Sequence, residues 1–415
     1  MGIEFKVCSE EEFKNYDGAK INYSEQVFEN AIQIVPHGLL FEENIFPHQI
    51  EVADDGIWNK LFFLTSTSEI PFDIFSAAFY LLSRYEEYLP HEVDEHKRFA
   101  HQQSLAVKNN FIELPLVDVW AKQFKEIILQ QFASIIHQQK VFKFLSTVDI
   151  DFAYKYNGIG LKRQVLKLGK SVLHLKFNDA VEQLLVMLGS KKDPYDTYDF
   201  IHKTIDNNRL SLQYFMLMKT GTAYDKNIML HHPLMKSTIK KLMKNYSVGL
   251  HPSYYSMENK NVINEKLLLE KFTQQNTTQT RQHFLKFTLP QTYQLLESIG
   301  FTDDYTMAYS SISGFRASTS FPFLFFDLGK NQSSTILLHP TMVMDVTLKN
   351  SHQFTPQQAM QKIEQLINEV KKVNGTFISI WHNSSLCEDK EWKGWREVFE
   401  KLHTLASIKT QKQID

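Results

Sequence analysis

Short apolar runs alternate with amphipathic stretches along the last two thirds of the chain. The runs predict buried β-strands at 141–148, 211–218, 246–250, 305–309, 335–338 and 376–381. Apolar residues spaced three and four apart predict helices at 195–208, 234–245, 263–272, 290–299, 356–373 and 392–404. Alternation of strands and helices indicates a mostly parallel sheet. No Gly-x-Gly-x-x-Gly motif follows a strand, so a barrel fits better than a dinucleotide-binding sheet.

The first part of the chain has a different pattern. Asp73 precedes the apolar run 74–82, which predicts a buried helix with an N-terminal cap. A second helix is predicted over 116–139. We therefore expect a smaller mixed α/β module at 1–138, followed by an α/β barrel at 139–415.

A basic helical insert is expected near 157–195. The stretch 152–178 carries six Lys or Arg residues and no acid, with apolar residues at helical spacing. This pattern favours an amphipathic helix that packs its apolar side on the domain and leaves its basic face in solvent. The alternative is a surface that contacts an anionic membrane or an anionic glycan carrier.

Composition adds few constraints to this picture. The 415 residues carry a net charge of -2, which gives no reason to expect a nucleic-acid partner. Cys8 and Cys387 lie far apart, which favours a reduced compartment without a disulfide framework. No basic and apolar leader begins the sequence, and no run is apolar enough to span a membrane. We expect a cytoplasmic protein, and nothing in the sequence indicates its oligomeric state.

Two carboxylates, Asp149 and Asp151, directly follow the first strand of the predicted barrel. Their repulsion must be relieved by a cation or by a shared proton. A divalent metal on one aspartate would leave the other free as a general base. A pair of helix-capping carboxylates is the structural alternative.

Three later strands also end at residues suited to chemistry, as the strands of barrel enzymes do. His251 follows 246–250 and suits a zinc-like cation, unless it is a buried histidine bonded to backbone. Arg281 and His283 follow Gln279 and Thr280. Arg281 would hold a carboxylate ionised, unless it forms only a surface ion pair.

His382 follows the strand predicted at 376–381 and is a candidate proton donor to a leaving group. The neighbouring Asn383 would help to orient it, and Asp345 is a candidate to tune it. A helix-capping loop is the structural alternative for this segment.

The order of these motifs resembles that of the polysaccharide deacetylases of carbohydrate esterase family 4. The resemblance covers roughly 140–405 and is carried by the segments 147–151, 249–251, 281–284 and 381–382. The segments 281–287 and 314–323 resemble a divergent branch with an N-terminal extension. The segment 82–88 resembles that extension as found in Bacteroidetes-type proteins.

The resemblance implies a distorted (β/α)7 barrel and metal-dependent removal of an acetyl group from a sugar. By position, Asp149 matches the catalytic base, Asp151 and His251 match metal ligands, Arg281 matches the arginine beside the base and His382 matches the catalytic acid. Asp345 falls where the family's fourth motif is expected.

One position departs from the family pattern. The second histidine of the His-x-x-x-His motif falls at Tyr255, which leaves two matched ligands where zinc usually has at least three. His283 is the candidate for the third ligand. We expect zinc, with cobalt and nickel as alternatives.

The expected function is therefore metal-dependent deacetylation of an N- or O-acetylated sugar or glycan precursor. The main alternative is a degenerate barrel that binds a glycan or a partner in surface-polysaccharide assembly. Hydrolysis of a non-sugar amide is a third reading, since a fold does not determine its substrate.

Overall fold

The computed structural model describes residues 1–66 and 69–407. The first part contains four α-helices and two small two-stranded sheets in the described residues. In chain order these elements are α1 (Glu10–Asn15), β1 (Lys20–Tyr23), β2 (Ala31–Ile34), β3 (Ala53–Asp55), β4 (Asn59–Leu61), α2 (Ile74–Leu82), α3 (Leu105–Lys108) and α4 (Leu116–Gln131). The β1–β2 pair is parallel and the β3–β4 pair is antiparallel.

The helix predicted after Asp73 is confirmed as α2. The Asp73 carboxylate accepts a hydrogen bond from the backbone N–H of Ser76, which is the N-cap interaction expected of an aspartate. The helix predicted over 116–139 ends earlier, at Gln131.

A nine-stranded sheet forms the centre of the rest of the described chain. Its strands are β5 (Lys143–Ile150), β6 (Ser211–Leu217), β7 (Ser247–His251), β8 (Gln279–Thr280), β9 (Asp303–Asp304), β10 (Phe323–Asp327), β11 (Gln332–Leu338), β12 (Val343–Met344) and β13 (Thr376–His382). They lie in the order β10-β11-β9-β8-β7-β6-β5-β13-β12. All neighbours are parallel except β10 and β11, so most strands end at one edge.

Helices connect and cover these strands. They are α5 (Leu161–Leu173), α6 (Phe177–Met187), α7 (Tyr198–Asn208), α8 (Pro233–Met243), α9 (Val262–Thr273), α10 (Gln291–Ser298), α11 (Pro356–Lys372) and α12 (Trp395–Ser407). Of the helices in the described residues, none has the length and apolar character needed to cross a bilayer.

The apolar side chains gather into two main clusters. One surrounds the nine-stranded sheet and includes Val148, Phe215 and Trp381. Strands β5 and β6 are buried along most of their length, as expected of parallel strands covered on both faces. The other cluster is built around Trp120 from residues of the first 128 positions, together with Tyr309.

Two expectations differ from the observed sheet. The strand predicted at 305–309 is wrong, because pairing of β9 stops at Asp304, whose carboxylate accepts hydrogen bonds from the backbone and hydroxyl of Thr306. Strand pairing also does not join β10 to β12 within the described residues. The fold is therefore mixed α/β around a largely parallel open sheet, and closure into a (β/α)7 barrel is not observed.

The expected packing of the apolar side of the basic segment on the domain is also wrong. The stretch 152–178 includes helix α5, in which no residue is buried. Arg163 and Gln164 face the domain, whereas Lys162, Lys170 and most of the apolar side chains are exposed.

Candidate metal centre

Four parallel strands bring the candidate residues to one edge of the sheet. Asp149 lies in β5 and Asp151 directly follows it, while His251 ends β7 and His382 ends β13. In the sheet register, His382 lies beside Asp149. The chain after β8 adds Arg281 and His283 at the same edge, because β7 and β8 are also parallel.

Three imidazoles converge on one carboxylate at the centre of this edge. The Nε2 atoms of His251, His283 and His382 lie 3.2, 3.5 and 3.6 Å from oxygen atoms of Asp151. Asp151, His251 and His283 can each offer one ligand atom, and these atoms lie within 4.8 Å of one another. One atom of this group, the buried Oδ1 of Asp151, has no hydrogen-bond partner among the described residues. The donor set and this oxygen fit a small divalent cation.

The other ring nitrogen of each histidine is hydrogen-bonded. The Nδ1 of His251 lies 2.5 Å from the backbone oxygen of Arg281, which makes Nδ1 the protonated nitrogen. The Nδ1 of His283 lies 3.1 Å from Asp225, and that of His382 lies 2.8 Å from Asp345. Metal-binding histidines generally have such a partner, which orients the ring and keeps Nε2 available.

Neighbouring charges control the protonation of Asp151 and His283. Burial alone would raise the pKa of the Asp151 carboxyl, but the charge of His283 and contacts with the other histidines hold it well below its ordinary value. Burial alone would lower the pKa of the His283 imidazole, but Asp151 and Asp225 raise it to about 9. Carboxylates that favour a proton on this ring favour a metal cation for the same electrostatic reason.

A second carboxylate, Asp149, lies beside this group and pairs with Arg281. Its Oδ1 accepts a hydrogen bond of 2.8 Å from Nη1 of Arg281, and its Oδ2 lies 3.9 Å from Nε2 of His251. Arg281 is fully buried and also donates to the hydroxyl of Thr147 and the backbone oxygen of Tyr305. Its guanidinium is therefore held in place beside the Asp149 carboxylate.

His382 and Asp345 form the next pair along the edge. One oxygen of Asp345 contacts Nδ1 of His382, and the other accepts the backbone N–H of His382 at 2.7 Å. Burial lowers the pKa of His382, but Asp345 and the charges of Asp151 and Asp149 raise it to about 10. The imidazole is thereby disposed to carry a proton at neutral pH.

Asn383 does not orient His382, contrary to the expectation from the sequence. Its side-chain amide donates instead to the backbone oxygens of Phe152 and Tyr195. This residue holds together the chain segments that follow β5 and α6.

Tyr255, at the position where a second motif histidine was expected, lies outside the metal group. Its side chain is 43% exposed and packs edge-on against Tyr254. His283, by contrast, lies within the group, together with Asp151 and His251.

Asp225 is the residue that sequence reasoning missed. It lies in the loop after β6, where it contacts His283 and accepts hydrogen bonds from the backbone of Tyr254 and the hydroxyl of Thr222. The loop after β6 begins at the same sheet edge as the other candidates. An acidic residue in that loop was therefore the feature of the sequence from which Asp225 could have been predicted as a site residue.

A cavity of about 330 Å³ lies between early and late parts of the chain, and none of the candidate metal ligands lines it. Its walls include Arg98 and His101 from the first part, and Leu285 and Arg316 from the second. Nη1 of Arg98 donates to the backbone oxygen of Phe284 at 2.5 Å, directly after His283. The first part of the chain thus reaches the loops that carry the site.

The N-terminal part of the chain matches a family model. Residues 1–133 match a family of unknown function, DUF7033. No curated protein matches the sequence.

Among solved structures, the chain is similar to three polysaccharide deacetylase-type proteins, and each match covers 66% of this chain. A putative polysaccharide deacetylase from Mycobacterium smegmatis has a TM-score of 0.42 and 13% identity, with 92% of that chain covered. A polysaccharide deacetylase from Bacillus cereus has a TM-score of 0.32 and 9% identity, with 89% covered. A mutant pseudoenzyme of carbohydrate esterase family 4 with restored enzymatic activity also has a TM-score of 0.32 and 9% identity, with 64% of that chain covered. Similarity at this level determines neither activity nor substrate, so the functional argument rests on the site itself.

Proposed function

We propose that this protein is a metal-dependent hydrolase that removes an N- or O-acetyl group from a sugar or glycan precursor. The convergence of three Nε2 atoms on Asp151, between the Asp149–Arg281 and His382–Asp345 pairs, carries the proposal. This arrangement offers a cation site, a base and an acid at one sheet edge. The sugar part of the proposal comes from the sequence resemblance described above.

Asp151, His251 and His283 would hold the ion. One carboxylate and two imidazoles form a common ligand set of catalytic zinc, and cobalt or nickel also accept imidazole ligands. A bound ion would supply Lewis acidity to the acetyl carbonyl and lower the pKa of a water molecule.

The flanking pairs would move the protons. Asp149, held in place by its ion pair with Arg281, would take a proton from the attacking water. His382 would give its Nε2 proton to the departing amine or alcohol, so that acetate and the free sugar are the products. Asp345 would keep the His382 ring oriented and protonated at Nδ1 throughout.

Metal content tests the ligand assignment. We expect about one zinc, cobalt or nickel ion per chain after incubation and desalting, and loss of that ion in His251→Ala and His283→Ala. Tyr255→Ala is the matched control, because this tyrosine lies outside the group and its variant should retain the ion. The assignment is wrong if the wild type binds no ion, or if the histidine variants bind it as tightly as the wild type.

Asp149→Asn tests catalysis separately from metal binding. We expect acetate release from acetylated sugars to fall by about 10²–10⁴-fold, because the base is lost while the ligands remain. Metal content should stay at the wild-type value. The unfolding midpoint should fall, because the buried Arg281 loses the charge of its partner carboxylate, and circular dichroism would verify that the variant still folds. Retention of activity in this variant would exclude Asp149 as the base.

The binding-only alternative depended on the missing histidine at Tyr255. Since Asp151, His251 and His283 together offer three ligand atoms, that substitution no longer favours it. A wild-type protein that binds the ion but releases acetate from no acetylated sugar would favour it again.

A further inference from the structure

Helices α5 and α6 form an antiparallel helical hairpin, residues 161–188, that leaves the sheet after β5. Gln183 near the end of α6 donates to Gln164 near the start of α5, which establishes the antiparallel arrangement. The hairpin begins ten residues after Asp151, and the chain leads into it from the sheet edge at which the candidate site lies.

Helix α5 turns its polar face towards the domain. Arg163 donates to the backbone oxygens of Lys226 and Asn227, and Gln164 donates to the backbone oxygen of Tyr156. Lys167 donates to the backbone oxygen of Lys155 at 2.7 Å. The polar side of the helix is therefore used for attachment, which is the reverse of an ordinary surface helix.

The opposite face of α5 is apolar and exposed. Leu161 and Leu173 are 75% and 83% exposed, and Val165, Leu166 and Val172 are exposed beside them. Five exposed aliphatic side chains on one short helix are costly in water unless another surface covers them.

Helix α6 continues this apolar surface. Ala180, Gln183 and Val186 face inward, whereas the outward residues are spaced as on one face of a helix. These outward residues are Phe177, Val181, Leu184, Leu185 and Leu188.

The charges around this apolar surface are mostly positive. Lys162, Lys170 and Lys176 are exposed and form no ion pair with any described residue. Glu182 is already paired with Lys155 and Lys191, which leaves Asp179 as the exposed acid of the hairpin. A second copy of the hairpin would bring its own excess of lysines, whereas a negatively charged surface would complement these.

We infer that the 161–188 hairpin is a docking surface for an anionic lipid membrane, with its apolar face inserted at the headgroup boundary and its lysines on the lipid phosphates. An apolar face flanked by lysines is the arrangement of helices that lie in a membrane interface. Nothing in this inference depends on the proposed deacetylase activity. Docking would bring the sheet edge that carries the metal centre close to the membrane surface.

Vesicle co-sedimentation of the full chain tests the inference. We expect binding to phosphatidylcholine vesicles that contain about one third phosphatidylglycerol, and much weaker binding to pure phosphatidylcholine. Replacing Lys162, Lys170 and Lys176 singly by Gln should lower binding about fivefold each. The combined variant Leu161→Ser, Leu173→Ser and Leu188→Ser should lower it by at least about 100-fold.

A matched triple variant controls for the loss of exposed apolar groups in general. Val27→Ser, Ile57→Ser and Ile136→Ser replace equally exposed aliphatic residues elsewhere and should bind vesicles like the wild type. Circular dichroism melting curves identify any variant that fails to fold. The inference is overturned if the folded wild type does not bind anionic vesicles, or if both triple variants bind equally well. It is also overturned if light scattering shows a wild-type dimer that only the hairpin variant abolishes, without vesicle binding.

Discussion

His283 is oriented by a carboxylate that lies 58 residues away in the chain. Its Nδ1 contacts Asp225, while its Nε2 faces Asp151. Burial alone would raise the pKa of Asp225, but its hydrogen bonds with His283, Tyr254 and Thr222 lower it. Asp225 therefore stays charged and favours a positive charge on or beside the His283 ring.

This arrangement makes Asp225 a positioning residue whose loss should weaken metal binding. Asp225→Asn preserves shape but removes the charge behind His283, so we expect metal affinity to fall by about 10–100-fold. A competition titration with a metal-binding dye measures this change.

Asp303 provides the matched control for that variant. It forms another carboxylate–histidine pair, at 2.7 Å from Nε2 of His339, and Asp303→Asn should leave metal affinity unchanged. Equal affinity in wild type and Asp225→Asn would show that Asp225 only stabilises its loop.

Residue type and strand context were enough to predict most of the residues that the structure brings together at the candidate site. Asp149, Asp151, His251 and His382 all end or follow apolar strands, and the parallel sheet gathers such positions at one edge. Asp225 was not predicted as a site residue, because it lies eight residues beyond β6, in a loop whose course no local pattern predicts.

At the scale of elements, β7 and β8 approach each other closely just before the metal centre. A Cβ atom at Gly249 would lie 2.7 Å from the backbone oxygen of Gln279 and 2.9 Å from the ring of Phe215. The residue two positions further along β7 is His251. Close packing at Gly249 thus sets the position of a proposed ligand.

Gly249→Ala should therefore disturb both the sheet and the site. We expect the free energy of unfolding to fall by about 1–3 kcal/mol, because a backbone oxygen cannot move aside cheaply. Metal affinity should fall as well, since the strand that carries His251 must shift. Urea titration and dye competition measure the two effects.

Gly56→Ala serves as the control, because a Cβ there meets no atom within 4 Å. Both quantities should remain at wild-type values in that variant. A folded Gly249→Ala protein with unchanged stability and metal affinity would contradict the packing argument.

Elements were predictable where burial produced a long uninterrupted pattern. Strands β5, β6 and β13 appear as apolar runs because helices cover both faces of the sheet. β9 and β12 are only two residues long, and their positions depend on pairing with distant strands. The outward apolar face of α5 was not predictable either, because spacing shows that a helix is amphipathic but not which face packs.

On the scale of the whole molecule, a buried ionic network joins the first part of the chain to the second. Glu87 accepts two hydrogen bonds from Arg316, of 2.9 and 2.6 Å, and one of 2.8 Å from Arg84. Arg84 also donates to Glu86 and to the hydroxyl of Tyr309. The Arg84–Tyr309 and Glu87–Arg316 pairs each join residues more than 220 positions apart. They therefore tie the early segment to the loops beside the cavity.

Removing the charge of Glu87 should weaken this connection strongly. Burial would raise the pKa of Glu87, but Arg316 and Arg84 lower it from 4.5 to about 2. Because the folded pKa is the lower one, the stabilisation is complete at neutral pH and is lost as the pH falls from about 4.5 towards 2. Glu87→Gln leaves two buried guanidinium groups without this carboxylate and should cost about 3–5 kcal/mol at pH 7.

Urea titration at pH 7 and pH 3 distinguishes this ionic effect from a loss of shape. The difference between wild type and Glu87→Gln should shrink by about 2 kcal/mol at pH 3, where the wild-type carboxyl is protonated in the unfolded chain but still mostly ionised in the folded protein. Asp199→Asn removes an exposed carboxylate paired with Lys192 and Lys241 and should cost less than about 1 kcal/mol at pH 7. If Glu87→Gln costs no more than this control, the ionic network does not hold the two parts together. A difference that does not depend on pH would instead attribute the loss to packing around the arginines.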